Sequence, residues 1–177
     1  MNDCRPPEPV AGQHSSNVQP FAQKDLPALL GLVRKSADLE GYLGDFRVSL
    51  DDLRVRGYSK PPQFGAFIAA ATDSGDLVGM AVRHAKPWTC DMRPTLVLKE
   101  HNVAEGWRNF GVRRARMKSV RDQATRMDGS RIKWPMLAGD EPARKFYRSL
   151  GRSPEEKCEP WILELSADSS DNSKGTN

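Results

Sequence analysis

Two apolar runs, Phe64 to Ala71 and Leu77 to His84, flank the segment Thr72-Asp73-Ser74-Gly75-Asp76, and this arrangement restricts the fold more than any other feature of the chain. The connecting residues have turn chemistry, with a glycine available for positive φ, so the runs are predicted to form a β-hairpin. Downstream, the stretch from Thr95 to Val103 alternates at first and then turns polar, as a strand does when its end enters a site. It is predicted as a central strand. Upstream, Asp25 precedes Leu26, Leu29, Leu30, Val33 and Ala37, an acidic N-cap followed by apolar residues at three- and four-residue spacing, which predicts an amphipathic helix. Ser49 followed by Asp52 resembles a capping box with Asp in place of the usual Glu, opening a short helix that stops at Gly57.

The remaining elements follow from the same kinds of signal. We expect a short strand near Val18 to Phe21, a long charged helix from about Glu105 to Arg126 and a strand from Arg131 to Leu137. A helix opened by Asp140-Glu141-Pro142 and ending at Gly151 follows, then a last strand from Trp161 to Leu165. The chain is thus of the α/β (α+β) class. Its 177 residues, 38% of them hydrophobic, suit one globular domain, expected over residues 19–165. Residues 1–18 and 166–177 offer little that could be buried and read as disordered ends.

Composition excludes several classes. With a mean hydropathy of −0.63 and no apolar run approaching the about 20 residues needed to cross a bilayer, no membrane partner is expected. Pro6, Pro7, Glu8 and Pro9 sit where the apolar core of a signal peptide would lie, so a cytoplasmic location is expected. Cys4, Cys90 and Cys158 are far apart, with no C-x-x-C and no histidine at a ligand spacing, which indicates neither a disulfide framework nor a metal site. A net charge of +4 implies nucleic acid only if the basic residues cluster.

They do cluster. Between Glu105 and Arg126 there are seven basic residues and two acidic ones. A strand leading into Arg108-Asn-Phe-Gly111-Val-Arg113 and then a helix would turn backbone N–H groups outward, ready for a phosphate. The bland alternative is a solvated helix start with a single glycine in a turn. Nucleic acid is disfavoured because no aromatics interleave with the basic residues. In the segment from Asp140 to Gly151, Ala143, Phe146, Tyr147 and Leu150 share one helical face, a pattern that first means core packing. The Tyr147 hydroxyl can nevertheless donate a proton if that face points into a cleft.

Taken together, the element order, the strand leading into Arg108-x-x-Gly111-Val112 and the segment Asp140-Glu-Pro-Ala-x-x-Phe-Tyr147 resemble the GNAT superfamily of acetyl-CoA-dependent N-acetyltransferases. The chain is most similar to the diamine (spermidine/spermine) branch, through Gly79-Met-Ala, Trp88, Leu98-Lys-Glu-His-Asn-Val103, Trp107-Arg108, Phe110-Gly111-Val112, Glu141-Pro142 and Phe146-Tyr147. The likeness spans about residues 19–165. It implies a mixed central β-sheet splayed into a V, with acetyl-CoA in the opening and no metal. The pyrophosphate would rest on the backbone of Arg108, Asn109, Phe110, Gly111, Val112 and Arg113. His101, Asn102, Val103 and Asp140 would complete the cofactor site, the backbone near Val103 polarising the acetyl carbonyl. A small-molecule amine, contacted by Lys99 and Trp88, would attack directly, and Tyr147 would protonate the leaving thiolate. A homodimer is implied by family analogy.

Several positions depart from the family pattern. Asn109 and Arg113 stand where the pyrophosphate loop usually has small residues, so only Gly111 survives of its glycines. Arg116 replaces an apolar residue that packs under the sheet, although Arg114 and Arg116 together could serve a phosphate. Asp140 stands for the family's Asn, and Lys99 for the polyamine branch's glutamate. Glu100 can take over that catalytic carboxylate only if the strand bulges there. The resemblance therefore leaves two functions open: an active N-acetyltransferase, or a catalytically weakened protein of this fold that binds CoA or a partner.

Overall fold

The computed structural model describes residues 15–87, 91–156, 160, 161 and 163. The chain divides into two compact units, Met1–Leu137 and Ala138–Asn177.

In the first unit, strands β1 (Ser16–Pro20), β2 (Gly65–Ala71), β3 (Leu77–Pro87), β4 (Pro94–Val103) and β5 (Arg131–Lys133) form one mixed sheet in sequence order. All neighbours are antiparallel except β4 and β5, which are parallel. The helices are α1 (Leu26–Leu39), α2 (Leu50–Gly57) and α3 (Val112–Arg126), the last being the crossover that a parallel pair requires.

Alternation along the strands builds the two faces. Ile68 and Met80 sit opposite each other in the β2–β3 pair and are fully buried with Leu26, Leu29 and Leu32 of α1 and Leu53 of α2. Each such aliphatic side chain removed from water contributes about 1.5–3 kcal/mol. Phe67 and Ala81, one residue out of step, face the other way and are buried as well. Helix α3 packs on β1 to β4. Its first residue, Val112, joins Ala69, Ala71, Val78 and Val103 in a second apolar cluster.

Of the two helix-start signals in the first unit, the Ser49–Asp52 box formed as read and the Asp25 cap did not. The Ser49 Oγ accepts from the Asp52 N–H at 3.1 Å while the Asp52 carboxylate accepts from the Ser49 N–H at 2.9 Å. At the start of α1, Asp25 instead accepts from the Ala22 N–H at 2.8 Å and so caps the turn before the helix.

Three expected boundaries moved, the last two for a physical reason. The first strand, Ser16–Pro20, begins inside the segment read as a disordered end and finishes beyond it. The helix expected from Glu105 begins only at Val112, because Asn109 (φ 70°) and Gly111 (φ 77°) are left-handed and no right-handed helix passes through them. The strand expected to reach Leu137 stops at Lys133, just before Trp134-Pro135, where a proline cannot donate to a ladder.

The second unit holds α4 (Glu141–Ser149), whose first turn is closed by Asp140 Oδ1 accepting from the Ala143 N–H at 3.0 Å. Ala143 and Tyr147, one helical turn apart, are buried. For the last expected strand, Trp161 and Leu163 belong to no strand and are 90% and 84% exposed. The rest of that stretch lies outside the described residues.

Candidate active site

The first unit carries an opening in its own sheet. Strand β4 pairs with β5 only through Thr95, Leu96 and Val97, opposite Arg131, Ile132 and Lys133. From Leu98 to Val103 it keeps its ladder with β3, while among the described residues its other edge has no strand beside it. The parallel pairing thus ends at Val97, and among the described residues the second half of β4 borders a gap in the sheet on that edge.

A bulge sits at the mouth of this gap. Val82 is opposite Glu100, but the next residue, Arg83, is opposite Leu98, so Lys99 is the extra residue of β4. Leu98 is buried and Lys99 exposed. The strand therefore does bulge at the position where a carboxylate from Glu100 would need it. The side chains of Glu100 and His101, and the whole of Trp88, lie outside what the structure describes.

Past Val103 the chain makes a tight turn over Glu105–Trp107 and enters the expected phosphate segment. Residues 108 to 111 are exposed, Arg108 is extended, and Asn109 and Gly111 are left-handed on either side of Phe110. Asparagine is one of the few residues that tolerates this region, so Asn109 adopts the conformation a glycine would supply. A Cβ at Gly111 would meet nothing within 4 Å, so what that position demands is its φ rather than its smallness.

Helix α3 then starts with no side-chain cap and no acidic residue in its first turn. Its first N–H groups have no intrahelical acceptor, and the positive end of the helix dipole lies there. Arg113 is half-buried in that turn and Arg114 is exposed. A donor set of amides and guanidiniums, with no acidic residue in the helix's first turn, fits a pyrophosphate. Among the described residues no three of His, Cys, Asp and Glu come together as a metal-binding group, and no helix is long and apolar enough to cross a membrane.

Arg116 does not belong to this cationic rim. It is fully buried, and its Nη1 donates to the backbone carbonyls of Met80 on β3 and Asn102 on β4. The expectation that it serves a phosphate is corrected by its place in the helix: two residues beyond the exposed Arg114, it falls on the face turned to the sheet.

Two residues that the sequence reading missed flank β4 on the opposite side from α3. Ser36 of α1, 2% exposed, accepts from Asn102 Nδ2 at 3.2 Å. Tyr42, in the connection between α1 and α2, presents its ring to the Lys99 ammonium at 5.9 Å from the centroid. Its place between Gly41 and Gly44, an aromatic in a glycine-flanked turn, was the available signal. Asn102 thus turns its amide side chain to α1 while its backbone carbonyl is held by α3.

In the second unit, Tyr147 is buried on α4, and its ring meets that of Phe146 edge-on with centroids 5.1 Å apart. Asp140 caps that helix through Ala143, which engages the carboxylate the family reading assigned to the cofactor.

The sheet order, the parallel pair that ends at Val97 and the loop into α3 define the GNAT acetyltransferase fold, and solved structures share it. One is an aminoglycoside acetyltransferase from an uncultured soil metagenomic sample, in complex with trehalose: 18% identity, TM-score 0.72, covering 85% of this chain and 96% of that one. An aminoglycoside N-acetyltransferase in complex with CoA matches with 17% identity and a TM-score of 0.67, over 88% and 99%. The ribosomal-protein-alanine N-acetyltransferase of Brucella melitensis biovar Abortus 2308 matches with 14% identity and a TM-score of 0.66, over 85% and 100%. Likeness at this identity is likeness of fold. No protein-family model matches the sequence, and no curated protein is similar to it.

Proposed function

We propose that the chain is an acetyl-CoA-dependent N-acetyltransferase acting on a small-molecule primary amine, diamine-like or amino-acid-like. The observation that carries this reading is the end of the β4–β5 pairing at Val97 together with a helix, α3, that starts with no side-chain cap and no acidic residue in its first turn. Arg108, Asn109, Phe110, Gly111, Val112 and Arg113 would hold the pyrophosphate through backbone amides and guanidinium donors. Acetyl-CoA supplies the thioester carbonyl. Amides near Val103 stabilise the negative charge that develops on its oxygen. The neutral amine forms the C–N bond, the C–S bond breaks, the Tyr147 phenol gives its proton to the departing sulfur, and the proton shed by the acylated nitrogen passes to solvent, from which the phenol is reprotonated. The support for Tyr147 is its intact Glu-Pro-Ala-x-x-Phe-Tyr context and its burial at the end of that motif.

The second reading, a CoA-binding module with weakened catalysis, draws on Arg113, a long side chain half-buried in the first turn of α3 where the family has a small residue. Calorimetry with acetyl-CoA followed by a turnover assay over a panel of amines separates the two. Binding with turnover is expected. Binding without turnover selects the second reading, and no binding removes both.

A further inference from the structure

Lys99 is an exposed cation that the fold holds in one place. It is the extra residue of the β4 bulge, two positions beyond the last residue that β4 shares with β5, and so stands at the mouth of the gap. Its ammonium lies 5.9 Å from the centre of the Tyr42 ring, within the about 6 Å over which a ring face attracts a cation. Among the described residues no carboxylate comes within ion-pair distance of it. Among the described residues, the gap is therefore bordered by a positive charge set against a ring and paired with no carboxylate.

This arrangement bears on which amine can react. An acceptor must reach the thioester as a neutral amine, and most amines arrive protonated. A second cation close to Lys99 is repelled by about 1 kcal/mol at 4 Å even in bulk water, and by more where the site excludes solvent. An acceptor carrying a carboxylate next to its amine meets the opposite situation. The carboxylate pairs with the ammonium, and the same positive charge lowers the pKa of the acceptor's own ammonium, favouring the nucleophilic form. We infer that the Lys99 ammonium, held over Tyr42 at the β4 bulge, selects an acceptor amine that bears its own carboxylate. The inference rests on the acetyltransferase reading for its chemistry, but not for its binding test.

The test uses matched pairs that differ by one carboxylate: phenylalanine against phenethylamine, and ornithine against putrescine. With the native chain and saturating acetyl-CoA, each amino acid should exceed its decarboxylated partner in kcat/KM by about tenfold or more, the scale of one charge-assisted hydrogen bond. Lys99→Gln should raise KM for the amino acid by a similar factor and improve the simple amine by about fivefold through relief of one close charge repulsion, while Lys99→Arg keeps the preference and acetyl-CoA affinity is unchanged. Saturation-transfer NMR with the same pairs reads the selection without turnover. If binding favours the amino acid and Lys99→Gln abolishes that preference while no acetyl transfer occurs, the inference stands and the acetyltransferase reading falls. A native preference for phenethylamine or putrescine overturns it, as does an equal loss for both members of a pair in Lys99→Gln, or failure of either amino acid to bind.

Discussion

The guanidinium of Arg116 fills the space that a side chain at position 79 would need. A Cβ on Gly79 would stand 3.0 Å from Arg116 Cζ and 3.1 Å from the Asn102 carbonyl oxygen, which itself accepts from Arg116. Residue 79 is bare because residue 116 is long, and the pair locks α3 against β3 and β4 one residue before Val103.

Gly79→Ala should therefore destabilise the chain by about 1–3 kcal/mol, the range for overpacking a filled interior. Arg116→Met removes the planar group that the new methyl would strike and should recover part of the loss. Urea denaturation of the two single variants and the double variant checks this through a coupling of at least about 0.5 kcal/mol. Strict additivity would mean that the Asn102 carbonyl, not Arg116, sets the limit at position 79.

Ser49→Ala should cost about 1 kcal/mol by removing the N-cap of α2. The Ser49 hydroxyl, then the Ser49 N–H, and lastly Arg56 hold the Asp52 carboxyl below its ordinary value of 3.8, against a small opposing effect of burial. A depressed carboxylate stabilises the fold above its unfolded pKa and loses that contribution as pH falls through the folded one. The gap between native and Ser49→Ala proteins should thus be full at neutral pH and shrink below about pH 4. Thermal melts at stepped pH read it directly, and a gap unchanged down to acid pH would assign the whole effect to the Ser49 Oγ cap and none to the Asp52 carboxylate.

Asn109 tests whether the loop needs its left-handed residue. Asn109→Gly should bind acetyl-CoA as the native chain does. Asn109→Val has to adopt φ 70° with a branched Cβ, at about 1–2 kcal/mol, or roughly 5–30-fold in affinity if the bound loop keeps this shape. Calorimetry on the two variants decides; equal affinities would place the phosphates elsewhere.

Tyr147→Phe should lower kcat by about 10²-fold or more, with little change in KM for acetyl-CoA, since a proton donor acts in the transition state rather than in the bound ground state. A rate that survives the change would leave Tyr147 as a packing residue beside Phe146.

What could be read from the sequence was what is encoded within a few residues. The Ser49–Asp52 box, the turn at Gly75, the Asp140 cap and the apolar runs of β2 and β3 each combine a backbone preference with a partner a few positions away or with a short unbroken stretch of one residue class, and these elements formed where they were expected. The loop from Arg108 to Gly111 was legible as a phosphate segment, but its two left-handed residues and the late start of α3 became visible only in three dimensions.

Other features were settled by contacts across long stretches of chain. Arg116 reaches a carbonyl 36 residues away, Asn102 bonds Ser36 across 66 residues, and Lys99 finds Tyr42 across the sheet and helix layers. The bulge that sets Lys99 apart and the early end of β5 depend on how β4 satisfies β3 on one edge and loses β5 on the other. Local composition therefore determined which helices and strands exist. Their register, the gap between β4 and β5, and the burial of a guanidinium where a cationic rim was expected were decided by packing, because each is a compromise between surfaces that meet only once the chain has folded.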